Sequence, residues 1–315
     1  MSRTICRTAD GWWLRTPDGA VRIPTDAATT ADLLADPAPI AAAAAGTSPD
    51  TAVPVDELSL RSPVTAPCRV VAQMTNYVSH VRDSGMNPAT VPLTLFRKAS
   101  GSISGPHDEI VKPAHVGLLD YEVEIGLVIG APLAVGATVT ADTLADHIAG
   151  LVVANDVSAR DVQLPKTQFY ESKSYPTFTP VGPALVLLDP GELDRFRELR
   201  LRLRVNGELR QDSPATDMIY SPLQALQTLS RFQRLDRGDL VLTGTPGGTA
   251  LKAPPKPVQM LSALLPPAIK WKAFFTAQAR NRKYLNDGDV VEASVATDDG
   301  ALDLGTQRTV VRYAA

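Results

Sequence analysis

The sequence predicts an α+β protein whose main part is a mixed β-sheet roll or sandwich, preceded by a small N-terminal unit. Two observations predict this class: short apolar strands recur from residue 69 onward, and glycine and proline turns separate them, with few helical periods between. At 315 residues the chain is long enough for one large domain or two unequal ones. Its 44% hydrophobic and 21% charged residues are ordinary for a globular protein.

Residues 1–65 are predicted to form the small N-terminal domain. Residues 12–23 alternate like a β-hairpin around a Pro-Asp-Gly turn, and the alanine-rich residues 27–45 predict one or two short helices. The main domain is assigned to residues 66–315, with an insertion at residues 251–284.

The main domain alternates predicted strands with turns. The predicted strands are residues 69–72, 122–129, 151–154, 184–187, 199–205, 240–243 and 290–295. Helical spacing is clearest in residues 223–232. The insertion begins with a proline-rich breaker, and its second half carries Trp271, Phe274 and Phe275 on a basic amphipathic stretch. We interpret it as a helical insertion docked on the core, with a substrate-covering lid or a subunit contact as alternatives.

Charge and composition argue against several classes of partner. The formal charge is −3 with a pI near 5.8, so nucleic-acid binding is not expected. Cys6 and Cys68 lie far apart and form neither a disulfide framework nor a cysteine metal site. No apolar stretch approaches the ~20 residues of a membrane helix, so no membrane partner is expected. The start of the chain lacks the apolar core of a signal peptide, and a cytoplasmic location is expected.

The segment of residues 120–130 carries the most informative pattern of the chain. Apolar residues alternate with Glu122 and Glu124, which predicts a strand with both carboxylates on one face. Two glutamates about 7 Å apart on a rigid strand can hold one hard cation. The alternative is an ordinary pair of glutamates on the solvent side of a half-buried strand.

Asp156 is placed to complete such a site. It follows the apolar strand of residues 151–154, and no histidine or cysteine lies near it in the chain. Three carboxylates favour an oxygen-preferring cation such as Mg²⁺ or Mn²⁺. Taken alone, an Asn-Asp pair after a strand is more often a turn or a helix cap.

A candidate base lies earlier in the chain. If residues 76–83 are helical, His80 and Asp83 lie one turn apart on a shared face and can touch. A carboxylate that orients an imidazole makes it a general base near neutral pH. The alternative is a surface His-Asp pair on an ordinary helix.

Two further segments suggest backbone wrapped around a ligand. Lys173 comes just before the proline- and glycine-rich residues 176–183. Residues 242–248 are typical of a strand that ends at a tight backbone site, where hydroxyl and N–H donors are free for a substrate carboxylate.

Together and in this order, these motifs resemble those of the fumarylacetoacetate hydrolase family. The resemblance extends from about residue 69 to residue 311, and its motifs lie at residues 95–98, 105–106, 120–124, 155–163, 177–183, 217–222 and 242–246. It implies a β-roll-like catalytic domain that forms a homodimer and holds one Mg²⁺, Mn²⁺ or Ca²⁺ ion. By motif position, Glu122, Glu124 and Asp156 would be the protein ligands.

The resemblance also assigns roles around the ion. His80 and Asp83 resemble the pair that activates water in the family's hydrolases, and Tyr77 would line the pocket. The positions that would contact the substrate's oxo and carboxylate oxygens are Arg160, Gln163, Lys173 and Thr245. Two departures stand out: the hydrolases usually have Glu where this chain has Asp83, and the insertion at residues 251–284 lengthens the segment after residue 246.

The leading functional hypothesis is metal-dependent hydrolysis of a carbon–carbon bond in a 1,3-diketone or acylpyruvate-type 2-oxo acid. His80 would take a proton from the attacking water, Arg160 and the catalytic Lys173 would neutralise developing charge, and the cation would act as Lewis acid. A decarboxylase of an oxaloacetate-like acid, or an isomerase or hydratase of a 2-oxo dioic or dienoic acid, could use the same site. An alternative of another class is a non-catalytic binding subunit.

Overall fold

The fold is described by a computed structural model, which covers residues 2–46, 52–167, 169–189 and 191–314. Its strands are β1 Arg3–Thr8, β2 Gly11–Thr16, β3 Gly19–Arg22, β4 Val70–Met74, β5 Thr94–Lys98, β6 Ile103–Ser104, β7 Ile110–Lys112, β8 Leu119–Asp120, β9 Val123–Ile129, β10 Ile148–Asn155, β11 Ser158–Ala159, β12 Thr179–Pro180, β13 Leu185–Leu187, β14 Leu199–Val205, β15 Glu208–Pro214, β16 Leu240–Leu242, β17 Val290–Thr297 and β18 Asp303–Tyr313. Its α-helices are α1 Thr30–Ala35, α2 Ala38–Ala45, α3 Val78–Asp83, α4 Ala141–His147, α5 Arg160–Lys166, α6 Pro222–Ser230, α7 Lys256–Ala263 and α8 Pro267–Gln278.

Two large sheets form the main body. A nine-stranded mixed sheet has the order β3-β2-β1-β13-β10-β9-β16-β4-β5, and a five-stranded sheet has the order β15-β14-β17-β18-β7. Apolar residues of both sheets, such as Ile125 of β9 and Leu201 of β14, share one buried cluster. The predicted α+β class and mixed sheet are confirmed.

The N-terminal segment continues the large sheet. Strand β1 pairs antiparallel with β13, with Arg3 opposite Leu187. On the sheet face away from the first core, Trp12 and Leu33 of this segment share a second buried cluster with Val128 and Leu240 of the main sheet. The sheet and the second core therefore cross the predicted boundary near residue 65, and the division into two domains stays a prediction.

The bounds of some elements differ from those predicted from the sequence. Strand β9 begins at Val123, so Glu122 lies just before it. The long strand β18 was not predicted, because six of its eleven residues are polar or charged and its apolar residues do not form a continuous run. The insertion forms α7 and α8. Within the described ranges, no helix is long and apolar enough to cross a bilayer.

Candidate metal and substrate site

Three buried carboxylates meet where β9 and β10 lie side by side. Oxygen atoms of Glu122, Glu124 and Asp156 all lie within 4.8 Å of one another. The antiparallel register brings them together, because Glu124 is opposite Ala154 and the Asp156 N–H donates to the Glu122 carbonyl at 2.8 Å. The structure thus groups the three residues that the sequence pattern singled out as ligands.

Strand alternation explains why Glu124 reaches this cluster. Val123 and Ile125 pack in the first core, and Glu124 therefore points to the opposite face of the sheet. The strand can pass this closely between β10 and β16 because residue 126 is glycine. A Cβ at Gly126 would lie 2.6 Å from Val152 Cγ2 and 2.8 Å from Leu240 Cδ1.

Two buried lysines balance part of the negative charge. Lys173 Nζ lies 2.6 Å from both Glu122 Oε2 and Asp156 Oδ2. Lys98 Nζ donates to Asp156 Oδ1 and, at 2.9 Å, to the Phe178 carbonyl. Lys98 belongs to a motif that carried the family resemblance, but no role was predicted for it. The signal available in the sequence was its place in that motif at residues 95–98.

The guanidinium group of Arg160 bonds to three side chains of the protein. Its Nε donates to Asp120 at 2.8 Å, its Nη2 to Glu122 at 2.5 Å and its Nη1 to Gln163 Oε1 at 2.9 Å. Two of its five N–H groups remain for a substrate. Arg160, predicted to contact the substrate's oxygens, therefore also holds Glu122 and Asp120 in place.

The carboxylates differ in how strongly they hold a proton. Burial opposes ionisation of Glu122, but Lys173 and Arg160 outweigh it and hold its pKa well below the usual range. Burial and the neighbouring Asp156 and Glu122 raise the pKa of Glu124 well above its ordinary value. Glu124 is thus the member of the cluster that most lacks positive charge.

The loop after β16 holds Glu124 in place. The Gly244 N–H donates to Glu124 Oε2 at 2.7 Å, and the Thr245 hydroxyl donates to the Val123 carbonyl at 2.8 Å while it accepts from Gln211 Nε2. The prediction that these donors are free for a substrate is wrong for Gly244 N–H and the Thr245 hydroxyl. Both groups donate to β9 instead. The sequence pattern could not show this, because the bonded residues lie far apart in the chain.

The expected contact between His80 and Asp83 is not formed. Both lie on α3, as predicted, but Asp83 Oδ2 accepts from the Gly248 N–H at 3.1 Å and Oδ1 lies 3.3 Å from Lys252 Nζ. Asp83 therefore ties the end of α3 to the neighbouring loop. Burial lowers the pKa of His80, and its Nδ1 has no hydrogen-bond partner in the part of the chain that the structure describes.

Other polar groups face inward without a partner. Tyr77 is fully buried, its hydroxyl has no partner among the described residues, and burial together with Glu124 keeps its pKa well above the usual value. The half-exposed Phe96 lies with its ring centre 5.6 Å from Lys173 Nζ and 5.2 Å from the ring of Phe169. Tyr77 thus lies near Glu124, and an aromatic pair lies beside Lys173.

The residues present suit a divalent cation. The donor set is oxygen-only and fully buried, and the raised pKa of Glu124 reports negative charge that a cation would neutralise. With Asp120 included, four carboxylates face three cationic side chains, those of Lys98, Arg160 and Lys173. An added divalent ion would turn this excess of one negative charge into one positive charge, which suits an anionic acid.

Comparison with known proteins defines the class of protein. The family model of the fumarylacetoacetate (FAA) hydrolase C-terminal region matches residues 69–312. The chain therefore belongs to the fumarylacetoacetate hydrolase family, a family of enzymes.

Two curated proteins and one crystal structure are similar to this chain. The chain is 36% identical over 206 residues to human mitochondrial oxaloacetate tautomerase FAHD2A, covering 64% of each chain, so the match spans less than two thirds of that relative. It is 35% identical over 208 residues to oxaloacetate tautomerase YisK of Bacillus subtilis, covering 64% of this chain and 67% of the relative. The crystal structure of a probable 2-hydroxyhepta-2,4-diene-1,7-dioate isomerase from Mycobacterium abscessus matches with a TM-score of 0.74 and 31% identity over all of both chains.

Proposed function

We propose that this chain is a divalent-metal-dependent enzyme that interconverts the keto and enol forms of a 2-oxo dicarboxylic acid such as oxaloacetate. The observation that carries the proposal is the position of Asp83, whose carboxylate is bonded to Gly248 and Lys252 and does not orient His80. Hydrolysis would need that pair to activate water, whereas a proton transfer needs only one base. The names of the tautomerase relatives support the same choice.

In this proposal a divalent metal ion would act only as a Lewis acid. A divalent cation held by Glu122, Glu124 and Asp156 would supply a Lewis acid next to the 2-oxo group. Lys98 and Arg160 fix the positions of Asp156 and Glu122, so the ligand oxygens are oriented before any substrate enters.

His80 is the proposed base. Burial lowers its pKa, so the imidazole is neutral near pH 7 and one ring nitrogen can accept a proton. His80 would take a proton from C3 of the keto acid and return it to the oxygen at C2, which gives the enol without consuming water. Lys173 stays protonated, because Asp156 and Glu122 outweigh the cost of its burial and raise its pKa, and its charge stabilises the anion formed in between.

One observation favours a second candidate. The Phe96–Phe169 pair beside Lys173 offers an apolar wall for a longer, unsaturated acid. Isomerisation of a dienoic 2-oxo diacid would use the same proton carrier, and the isomerase from Mycobacterium abscessus is similar over the whole chain.

The test compares substrates and variants. Purified protein with Mg²⁺ is given enolic oxaloacetate, a dienoic 2-oxo diacid and an acylpyruvate, and the loss of ultraviolet absorbance is followed, with pyruvate assayed separately. We expect enol conversion by wild type, a loss of about 10²–10⁴-fold in His80→Gln, and a much smaller loss in Asp83→Asn. A chelator should abolish the reaction.

Three results would contradict the proposal. Rapid acylpyruvate cleavage that both His80→Gln and Asp83→Asn abolish would restore the hydrolase hypothesis. Release of pyruvate from oxaloacetate at the rate of enol loss would indicate a decarboxylase. A protein that binds Mn²⁺ but converts none of the three acids would support the binding-subunit alternative.

A further inference from the structure

The insertion is positively charged, whereas the rest of the chain carries a net negative charge. Residues 251–284 hold seven basic residues, Lys252, Lys256, Lys270, Lys272, Arg280, Arg282 and Lys283, and no acidic residue. The whole chain has 31 basic and 34 acidic residues, so the remainder has 24 basic against 34 acidic and a formal charge of −10. Of the six basic side chains here that the structure describes, only Lys252 contacts a carboxylate.

The same segment exposes large apolar side chains. Met260 is 75% exposed, Leu261 69%, Leu264 83% and Ile269 55%. Met260 and Leu261 lie on α7, Leu264 is the C-cap residue of that helix, and Ile269 lies in the first turn of α8. We call these four residues the apolar tip. Beside this tip, Ile269 and Ala273 share a hollow of about 470 Å³ with Lys272 and Arg280.

The opposite side of the insertion is attached to the protein. Trp271 stacks on Phe275 with ring centres 5.6 Å apart, and Phe275 packs against the first core. Asn281 Nδ2 donates to the Ala250 carbonyl, and Tyr284 donates to Gln278. These contacts hold α8 on the body, while the residues of the apolar tip are exposed. The exposed apolar residues therefore belong to a helical segment that is packed on the protein.

A second copy of this chain fits the tip poorly. Two insertions face to face would bring fourteen basic residues together without an acidic one between them. Docking on another face would need an apolar acceptor, but outside the insertion the exposed large apolar residues that the structure describes are scattered over separate parts of the chain: Met86, Val135, Tyr170, Leu209, Phe232 and Tyr313. A lipid surface supplies both apolar chains and negative headgroups.

We propose that α7 and the start of α8 bind peripherally to an anionic phospholipid surface. Met260, Leu261, Leu264 and Ile269 enter the interface, while Lys270, Lys272 and Arg280 lie against the headgroup phosphates. The sequence argued against a membrane partner only through the lack of a spanning stretch, and a peripheral contact needs none. This inference is independent of the reaction proposed above.

The test is cosedimentation of the full chain with two kinds of vesicle, phosphatidylcholine alone and phosphatidylcholine mixed with phosphatidylglycerol. We expect binding to the anionic vesicles only, weaker at high salt. Leu261→Ser with Leu264→Ser should lower the partition coefficient at least tenfold, because both side chains leave the apolar phase. Lys272→Ala should lower it by roughly fivefold at low salt.

Matched controls lie on the body. Phe232→Ser removes an equally exposed apolar residue, and Arg197→Ala removes an exposed charge, so neither should change binding. Two results would overturn the proposal: no sedimentation with anionic vesicles at low salt, or equal sedimentation of wild type and the Leu261→Ser, Leu264→Ser variant. Light scattering that finds a dimer in wild type and a monomer in that variant would also overturn it, because the tip would then be a subunit contact.

Discussion

At the scale of single residues, the site is a cluster of buried carboxylates and cationic side chains. Within the described part of the chain, Glu124 is the metal-ligand candidate that bonds to no lysine or arginine. Glu122 and Asp156 each bond to a lysine, whereas among the described residues Glu124 accepts a hydrogen bond only from the Gly244 N–H. The sequence could predict the carboxylates, because they stand out at fixed spacing on and after strands. It could not predict that Lys98 and Thr245 support them, since those contacts join residues 58 and 122 positions apart.

Glu124→Gln separates the metal role from stability. The amide keeps the shape and an acceptor for Gly244, but it removes one of three like charges. We expect the melting temperature of the metal-free protein to rise, because burial and the repulsion from Asp156 and Glu122, which together raise the pKa of Glu124, act less on a neutral amide. Mn²⁺ affinity, measured by calorimetry, should fall by at least about tenfold. A lower melting temperature without metal would contradict this account.

Lys98→Met tests whether the second lysine is essential to the cluster. Its loss leaves Asp156 with less compensation and the Phe178 carbonyl with only the Val157 N–H as donor, so unfolding in urea should show a loss of about 3 kcal/mol or more. The control is Lys166→Met, which removes an exposed pair with Glu171 and should cost less than about 1 kcal/mol. Similar effects of the two changes would mean that burial adds little to the role of Lys98.

His80 should make stability depend on pH. Burial holds its folded pKa below 6.5, so the unfolded chain binds more protons and stability is lost as pH falls through that value. His80→Gln lacks this effect. We therefore expect the difference in unfolding free energy between wild type and His80→Gln to shift against wild type between about pH 8 and about pH 5.5. A difference that stays constant with pH would contradict the lowered pKa.

At the scale of elements, close strand contacts position the site. Strand β10 carries Asn155 into the site at one end and pairs with both β9 and β13 at the other. Its Gly150 allows this, because a Cβ there would lie 2.3 Å from the Val186 carbonyl oxygen. Sequence periodicity locates such strands but not their neighbours, since strand order depends on contacts between distant segments.

Gly150→Ala should push β10 and β13 apart. We expect a loss of at least about 1–3 kcal/mol in unfolding free energy, because the clash is with backbone and cannot be relieved by a side-chain rotation. Gly101→Ala is the matched control, since nothing lies within 4 Å of a Cβ at that position. Equal stability of the two variants would argue against a tight β10–β13 contact.

At the scale of the whole molecule, the sequence predicted the class and the mixed sheet but not how the N-terminal segment joins it. Alternating apolar residues indicate a hairpin, and they do not reveal that β1 extends a sheet whose next strand, β13, lies about 180 residues later in the chain. The insertion shows the opposite case, because its helices are visible in the sequence and Phe275 packs on the first core as expected, while the exposed apolar residues on its other side were not predicted.

Removing residues 1–65 should therefore abolish stable folding, although the family model matches only residues 69–312. The deletion removes buried apolar side chains from the second core: Ile5, Trp12, Leu14, Ile23, Leu33 and Ile40. Each contributes roughly 1.5–3 kcal/mol, and together they are comparable with the about 5–15 kcal/mol stability of a typical protein. It would also expose Val128 and Leu240 and leave β13 as an open sheet edge. Residues 66–315 expressed alone should be insoluble or lack a cooperative thermal transition. A soluble fragment with a melting temperature near that of the full chain would instead establish residues 1–65 as a separate domain.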